Sequence, residues 1–308
     1  MNPGVAFASW WYAPVPKARI AVFRAAAYLF VPLDVLVLHP VSSEHASAAS
    51  LYQPLIVGKL LYLPHPTAAL IEVVRWSLLL LSLVAATGRL PRLLGATIAL
   101  LYFEWIVIAF SFGKVDHDRF AYLVALAVLP TVGRAAFRDR TPSESAGWAM
   151  RCVQLAVVAT YFLGALAKVR FGGWGWENSA TLVRAVLRRG TFIADPLLHH
   201  AELLHWAQWG IMAMELSSPV ILFAKPRYRH LLVAVFVLFH LSVFAMVTIM
   251  FWPHVLCLIF CFLPTERLVA GDRPEARLIA VARPGHHDAF TGAAGECDLR
   301  ARRRNATP

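Results

Sequence analysis

Residues 231–264 contain no Asp, Glu, Lys or Arg, and this stretch constrains the fold more than any other feature of the chain. A bilayer crossing needs about 20 mostly apolar residues, so the stretch is too long for one span. Pro253 lies inside it, and we therefore divide it into residues 231–250 and 251–264. An apolar stretch of this length predicts membrane-spanning helices rather than a soluble domain.

Six further apolar runs precede this stretch. They comprise residues 20–38, 68–87, 93–112, 120–132, 150–167 and 206–224. The sequence therefore predicts an all-α, polytopic integral membrane helical bundle of about eight transmembrane helices, within a range of seven to nine. The fourth and eighth runs are the shortest, and each is also compatible with a re-entrant segment that the rest of the protein buries. Only 15% of the residues are charged, against about 25% in a typical soluble domain.

The distribution of Lys and Arg predicts how the chain is oriented. The connections on one side of the predicted bundle, together with the basic segment after residue 264, carry most of the Lys and Arg residues. By the positive-inside rule, both termini lie in the cytoplasm and the protein is integral to the plasma membrane. The net charge of +11 then reflects topology, and no nucleic-acid partner is expected.

We predict a membrane domain over residues 1–264 and a polar, basic, disordered cytoplasmic tail over residues 265–308. Residues 182–189 fit an amphipathic interfacial helix.

Several charged or ionisable side chains fall inside the predicted spans. They are Arg24, Asp34, Glu72, Arg75, Glu104, Glu215 and His240. A charge at bilayer depth costs about 2.5–3.5 kcal/mol, so such groups face the bundle interior or a wet cavity. Glu72 and Arg75 are three residues apart and can pair on one helix face. Arg24 lies near the inner end of its span, where its guanidinium can extend to the membrane surface. The last three lie near mid-span and serve either as hydrogen-bonded core groups or as functional groups.

Two polar residues are predicted to meet at the outer face of the membrane. The connection 113–119 links the third and fourth spans on that side, and it contains His117. The fifth span starts on the inner side and ends at Lys168, which therefore emerges on the same outer face. An apolar pocket favours the neutral amine of a lysine, and a neutral amine can act as a general base with a histidine sharing the proton. The alternative is an interfacial lysine beside a solvated loop histidine.

The sequence gives little indication of a metal or thiol site. His199, Glu202 and His205 do not have the i, i+4 spacing of zinc-binding helices, and we expect no metal. The four cysteines form no CxxC pair, which argues against thiol–disulfide chemistry.

A set of short motifs resembles a known family. The motifs are Phe23 with Arg24, the loop GKVDHD at 113–118, the segment YFLGALAK at 161–168 followed by Trp174, Glu215 followed by Pro219, Phe239 with His240, and FLP at 262–264. In this order they are similar to the HTTM (horizontally transferred transmembrane) domain family over residues 18–264. That family includes the membrane part of the vitamin K-dependent γ-glutamyl carboxylase.

The resemblance implies a chemistry and a set of site residues. In the carboxylase a lysine deprotonates reduced vitamin K, which reacts with oxygen to form a strong base, and carbon dioxide adds to the glutamate carbanion that this base creates. By motif position Lys168 matches that lysine, and His117 matches the family's loop histidine. A reduced quinone of the vitamin K type is the implied cofactor. The implied substrate or quinone pocket contains Asp116, Tyr161, Trp174, Glu104, Glu215 and His240.

The sequence also departs from the carboxylase. Ala167 precedes Lys168, where the carboxylase has a second lysine, and the lumenal domain that holds its protein substrate has no counterpart here. A separate protein substrate or partner subunit is therefore expected beside the lipid bilayer. Three hypotheses follow: a quinol-linked, carboxylase-like enzyme with Lys168 as base; a non-enzymatic lipid or quinone binder or subunit of a membrane assembly; and a transporter with Glu104, Glu215 and His240 along a wet path.

Overall fold

The computed structural model describes residues 3–269, and this part of the chain is almost entirely helical. The helices in chain order are α1 (Pro3–Trp11), α2 (Lys17–Leu33), α3 (Glu44–Ser47), α4 (Ile56–Leu60), α5 (Ala68–Ala86), α6 (Pro91–Ser111), α7 (Phe120–Val128), α8 (Glu144–Gly172), α9 (Thr181–Arg189), α10 (Ala201–Ser217), α11 (Val220–Phe223), α12 (Pro226–Val247) and α13 (Trp252–Phe262). A π-helical turn, Asp34–Leu38, extends α2. The predicted all-α fold class is confirmed.

Five helices are long and apolar enough to cross a membrane: α2 with its π-helical extension, α5, α6, α8 and α12. The three other predicted spans are helical but shorter. They are α7 with its 3₁₀ extension Leu129–Val132, α10 followed by α11, and α13. The chain breaks between α12 and α13, where Thr248 has a positive φ of 55°. Pro253 then occupies the first turn of α13, which needs no backbone donor.

The shorter helices α7 and α13 lie inside the bundle, whereas α5 and α12 form much of its outer surface. Helix α13 packs against α2, α7, α8 and α12, and most of its residues are buried. On α5, in contrast, Trp76, Leu80 and Leu83 are exposed. Exposed apolar side chains on long helices are stable against lipid, so the bundle has the surface of a membrane protein.

Aromatic side chains fill the core between α2, α6 and α7. The Tyr102 and Tyr122 rings meet edge to face with centroids 5.2 Å apart, and the hydroxyl of Tyr122 donates to the carbonyl of Ala27 at 2.6 Å. Each large ring removes substantial apolar surface from its surroundings while its polar atom keeps a partner. These contacts fix α7 against α2 and α6, although α7 itself has only nine residues.

A buried ionic group joins α2 to the connection between α6 and α7. The guanidinium of Arg119 donates to Asp34 Oδ1 at 2.8 Å and to both oxygens of Asp118 at 2.6 and 2.8 Å, and the hydroxyl of Tyr102 donates to Asp34 Oδ2 at 2.7 Å. Asp34, Asp118 and Arg119 are buried. Despite desolvation, the Asp34 and Asp118 charges raise the pKa of Arg119, whereas burial raises that of Asp118. Arg119 is thus a structural residue, buried although it lies in a connection between two helices.

Arg24 and the Glu72–Arg75 pair, also inside the predicted spans, differ in the partners that they bind. The expectation that Arg24 extends to the membrane surface is wrong, because its guanidinium is buried and donates to the carbonyls of Leu129 and Gly133, each at 2.6 Å. Leu129 begins the 3₁₀ turn that extends α7 and Gly133 follows it, so both carbonyls lie near a helix end, where acceptors lack an internal donor. Glu72 and Arg75 form the expected pair, with oxygen–nitrogen distances of 3.1 and 3.2 Å.

Three local features complete the described chain. The two-residue strands β1 (Val15–Pro16) and β2 (Pro142–Ser143) pair in antiparallel fashion beside α2 and α8. Helix α9 confirms the expected short helix in the connection before α10.

At the end of α13 the packed chain continues past residue 264, since buried Glu266 accepts from Arg19 at 2.7 and 2.8 Å. The rest of the predicted tail, residues 270–308, lies outside the described residues.

Substituting Asp34 by Asn tests the role of the buried ionic group. Removing one partner of a buried pair costs about 3–5 kcal/mol, and we expect about 3 kcal/mol here because Asp118 still bonds to Arg119. Glu72→Gln in the partly exposed pair should cost no more than about 1 kcal/mol. The free energy of unfolding is measured in mild detergent by titration with a denaturing detergent. Equal stabilities of the two variants would contradict this role.

Candidate functional site

One face of α8 carries the polar residues that define the candidate site. Tyr161, Gly164, Ala165 and Lys168 are spaced three and four residues apart, which places them on one side of the helix. This face packs against α10 and α13. Lys168 belongs to the last turns of the helix, so its amine lies near one end of the bundle.

The amine of Lys168 is held by a carboxylate on α10. Its Nζ atom lies 2.7 Å from Oε1 and 2.5 Å from Oε2 of Glu215. Glu215 is buried, whereas about a quarter of the Lys168 side chain, 26%, is exposed. The ring centroid of Trp176 lies 5.4 Å from the same nitrogen. A charged partner stabilises a buried carboxylate, and the lysine is the more accessible member of this pair.

Gly164 leaves space beside this ion pair. A methyl group at its Cα would lie 3.9 Å from Lys168 Nζ and 4.0 Å from Glu215 Oε2, which is ordinary van der Waals contact. No side chain of α8 therefore covers the pair at this position, and a ligand group could approach the amine there.

The segment that carries Trp176 is fixed to α10 by Gln208. The buried amide of Gln208 donates to the carbonyls of Trp176 and Glu177 at 2.9 and 3.1 Å, and its oxygen accepts from the backbone N–H of Leu182 at 2.8 Å. The two carbonyls and the Leu182 N–H lie in the segment that runs from the end of α8 to the first turn of α9. A single side chain thus holds both the indole beside Lys168 and the start of α9.

The charges of Lys168 and Glu215 both act on the pKa of His117. Its ring is exposed, with its centroid 6.0 Å from that of Phe251. Nearby protein still removes part of its hydration, and this desolvation lowers the pKa of His117 below its usual value. The positive charge of Lys168 lowers this pKa further, while the Asp118 and Glu215 carboxylates act in the opposite direction. The lowered pKa favours the neutral imidazole, which can accept a proton.

A second layer of ionisable rings lies beneath the pair. The hydroxyl of Tyr161 lies 2.7 Å from Nε2 of buried His240, and the ring of Phe251 lies 4.9 Å from the same imidazole. His254 is also buried, with its ring 4.7 Å from Tyr161 and 5.5 Å from His240. Among the described residues, neither ring nitrogen of His254 has a hydrogen-bond partner.

The structure brings most of the sequence-predicted site residues together. Lys168, Glu215, His117, Tyr161 and His240 form one group, which we call the Lys168 cluster, with Phe251 between its two histidines.

The remaining three predicted site residues lie apart. Asp116 bonds to Lys114 at 2.7 Å and faces His39 at 3.4 Å, and these partners lower the pKa of its carboxyl. Glu104 lies on α6 with a buried Oε1 that has no partner among the described residues. Trp174 is 82% exposed, and Trp176 contacts Lys168 in its place. Within residues 3–269, none of these three makes a hydrogen bond, ion pair or ring contact with the Lys168 cluster.

Four residues near the site were not predicted from the sequence: Trp176, Gln208, Phe251 and His254. His254 carried a usable signal, because an ionisable residue in a charge-free apolar segment is itself a functional candidate. Trp176 had a weaker signal in its distance from Lys168, which Trp174 shares. Gln208 and Phe251 had none, since their roles depend on contacts between distant segments.

Comparison with protein-family models, curated proteins and solved structures finds no match to this chain. Within residues 3–269, no group of three or more His, Cys, Asp or Glu side chains is arranged to hold a metal ion. The geometry of the Lys168 cluster is therefore the main indication of function.

Titration of His117 tests this geometry. In the Lys168→Met variant the pKa of His117 should rise, because the positive charge that lowers it is removed. The sign is the same whether or not Glu215 then takes up a proton, since a remaining negative charge would raise this pKa further. NMR of histidine-labelled protein in detergent measures the shift, and His117→Gln assigns the resonance. Arg170→Met, which removes an exposed charge two residues away, should leave the titration unchanged; equal titrations in all three proteins would contradict the proximity.

Proposed function

We propose that this chain is an HTTM-like polytopic membrane enzyme in which Lys168 acts as a base toward a lipid-soluble quinol. In this proposal the eight helical segments are spans, both termini lie on the cytoplasmic side of the plasma membrane, and the Lys168 cluster lies near the outer face. The observation that carries the proposal is the Lys168–Glu215 pair, which is partly accessible and has a neutral imidazole nearby.

The pair can deliver a neutral amine without a change in its net charge. Transfer of a proton from Lys168 Nζ to a Glu215 oxygen leaves an amine and a carboxylic acid, and both partners remain hydrogen-bonded. The amine can then accept a proton from an acidic hydroxyl, which restores the ammonium. A low-dielectric site favours the neutral pair relative to its stability in water. Neutral His117 offers a second acceptor and a route for the proton to leave.

The residues present fit a reduced quinone with an apolar tail. The space beside Gly164 leads to the amine, and an apolar cavity of about 370 Å³ lies between α9, α10 and α12. Met214 and Phe239 line this cavity and directly precede Glu215 and His240 in the chain. When bound, a reduced quinone would supply an acidic hydroxyl and two electrons for reaction with oxygen. Lys168 would orient and deprotonate that hydroxyl, and Trp176 would exclude water from one side of the amine.

Binding without chemistry is the second candidate function. Both oxygens of Glu215 contact the Lys168 amine, and an ion pair of this kind can hold a lipid or quinone headgroup with no proton transfer. The apolar cavity serves this function equally well. The two functions differ in whether loss of the amine abolishes turnover or only weakens affinity.

Quinol-dependent oxygen consumption by the purified protein tests the enzymatic proposal. Lys168→Met should reduce the rate about 10²–10⁴-fold, the usual contribution of a general base, and Lys168→Arg should not restore it because a guanidinium keeps its proton. The assay uses a reduced short-chain naphthoquinone with dissolved carbon dioxide and a glutamate-containing peptide. Arg170→Met is the matched control and should keep the wild-type rate. A fully active Lys168→Met variant would exclude the base role.

Filling the space beside Gly164 tests the approach of the ligand. Gly164→Ala places its methyl group at van der Waals distance and should preserve quinone binding. Gly164→Leu occupies the space next to the amine and should weaken binding at least tenfold. Quenching of tryptophan fluorescence by added naphthoquinone measures the affinity, with Ala167→Leu on the exposed side of α8 as the control. Equal affinities for the Gly164→Leu variant and its control would place the ligand elsewhere.

A further inference from the structure

A large basic cavity lies at the opposite end of α6 from His117. Its volume is about 1330 Å³, and it is formed by the start of α2, the turn between α5 and α6, and the segment that follows α7. Five cationic side chains line it, but only one carboxylate does. They are Lys17, Arg24, Arg89, Arg92, Arg134 and Asp139.

Two of these arginines converge on Gly133. Arg24 donates to the Gly133 carbonyl at 2.6 Å, and the guanidinium of Arg92 lies so close that a methyl group on Gly133 would be 3.3 Å from its Nη2. Gly133 has a φ of 74°, a conformation that favours glycine, and the absence of a side chain allows Arg92 to approach. Two like charges are thereby brought together at one point of the cavity wall.

The positive charge of this cavity is not balanced within the described part of the chain. None of the five cationic side chains there makes an ion pair with a carboxylate of residues 3–269. Asp139 Oδ1 instead accepts from the backbone N–H and the hydroxyl of Thr141, at 3.0 and 2.5 Å. A concave surface with unbalanced charge of one sign concentrates the opposite charge, so the cavity attracts an anion.

The start of α6 adds to this attraction. Helix α6 has 21 residues and begins at Pro91 in the cavity wall, and no side chain caps its N-terminus. The free N–H groups and the positive end of the helix dipole favour an anion at this position.

The rim of the cavity is apolar. Leu90, Leu93 and Phe137 are exposed and line the cavity together with the arginines. A free phosphate ion would satisfy the arginines but would leave these side chains uncovered. A ligand with an anionic head and apolar chains would contact both parts of the surface.

We propose that this cavity binds the phosphate headgroup of an anionic phospholipid, with its acyl chains against Leu90, Leu93 and Phe137. Arg92 and Arg134 contact the phosphate oxygens, and Arg24 supplies charge from the buried side. Arginine suits this function because its planar guanidinium can donate two hydrogen bonds to one phosphate. This inference is independent of the chemistry at Lys168, and it identifies the basic end of the bundle as a lipid site.

Native mass spectrometry of the full chain, with defined lipids added to the detergent-purified protein, tests this inference. The triple variant Arg89→Gln, Arg92→Gln, Arg134→Gln removes three exposed charges that form no hydrogen bonds or ion pairs with the described chain, so the fold should persist. Its affinity for phosphatidylglycerol should fall on the order of tenfold to a hundredfold, whereas its weak affinity for phosphatidylcholine should not change. The matched control removes three exposed charges on α9, as Arg184→Gln, Arg188→Gln, Arg189→Gln, and should retain wild-type affinity.

Two results would overturn the inference. Equal losses in the cavity variant and the α9 control would show that phosphatidylglycerol responds only to net charge. Displacement of phosphatidylglycerol by a few millimolar inorganic phosphate would show a free-anion site without a contribution from the acyl chains. A second triple variant, Arg89→Lys, Arg92→Lys, Arg134→Lys, keeps the charge and should retain part of the affinity. The thermal stability of each variant shows whether a loss of affinity comes from unfolding or from loss of the site.

Discussion

The ion group formed by Asp34, Arg119 and Asp118 is the interaction on which the arrangement of the bundle depends. Three charges are removed from water, and each is stable there only because the others are in place. The group ties the end of α2 to the connection between α6 and α7, and Tyr102 joins it from α6. That connection continues into α7, a nine-residue helix that depends on such contacts for its position.

The same group positions the candidate site. His117 directly precedes Asp118 and Arg119, so anchoring these two residues fixes the backbone that presents the imidazole. On the other side of the site, α8 presents Lys168 and α10 presents Glu215, again as charges that satisfy each other. The protein thus contains two kinds of ion pair: one is fully enclosed, whereas the other is partly open beside Gly164.

The sequence predicted the helical segments well because hydrophobicity and length are local properties. Every predicted span contains a helix, and the break near Pro253 falls where the charge-free stretch divides. The order of the apolar segments also predicted that Lys168 and His117 lie at the same end of the bundle, and the charge of Lys168 does act on the pKa of His117. The partner of Lys168 was not predictable, because Glu215 lies 47 residues away and its orientation depends on how α10 packs against α8. The choice between Trp174 and Trp176 likewise required the backbone path after α8.

The sequence by itself therefore determined the helical class, the order of the apolar segments and most members of the Lys168 cluster. Only the tertiary structure decided which charges pair. It buried Arg119 among carboxylates, and it reversed one expectation, since Arg24 turns inward to backbone carbonyls rather than outward to the membrane surface. The physical reason is that burial of an ionisable group requires a partner of suitable geometry. Such partners come from distant segments whose approach no local pattern encodes.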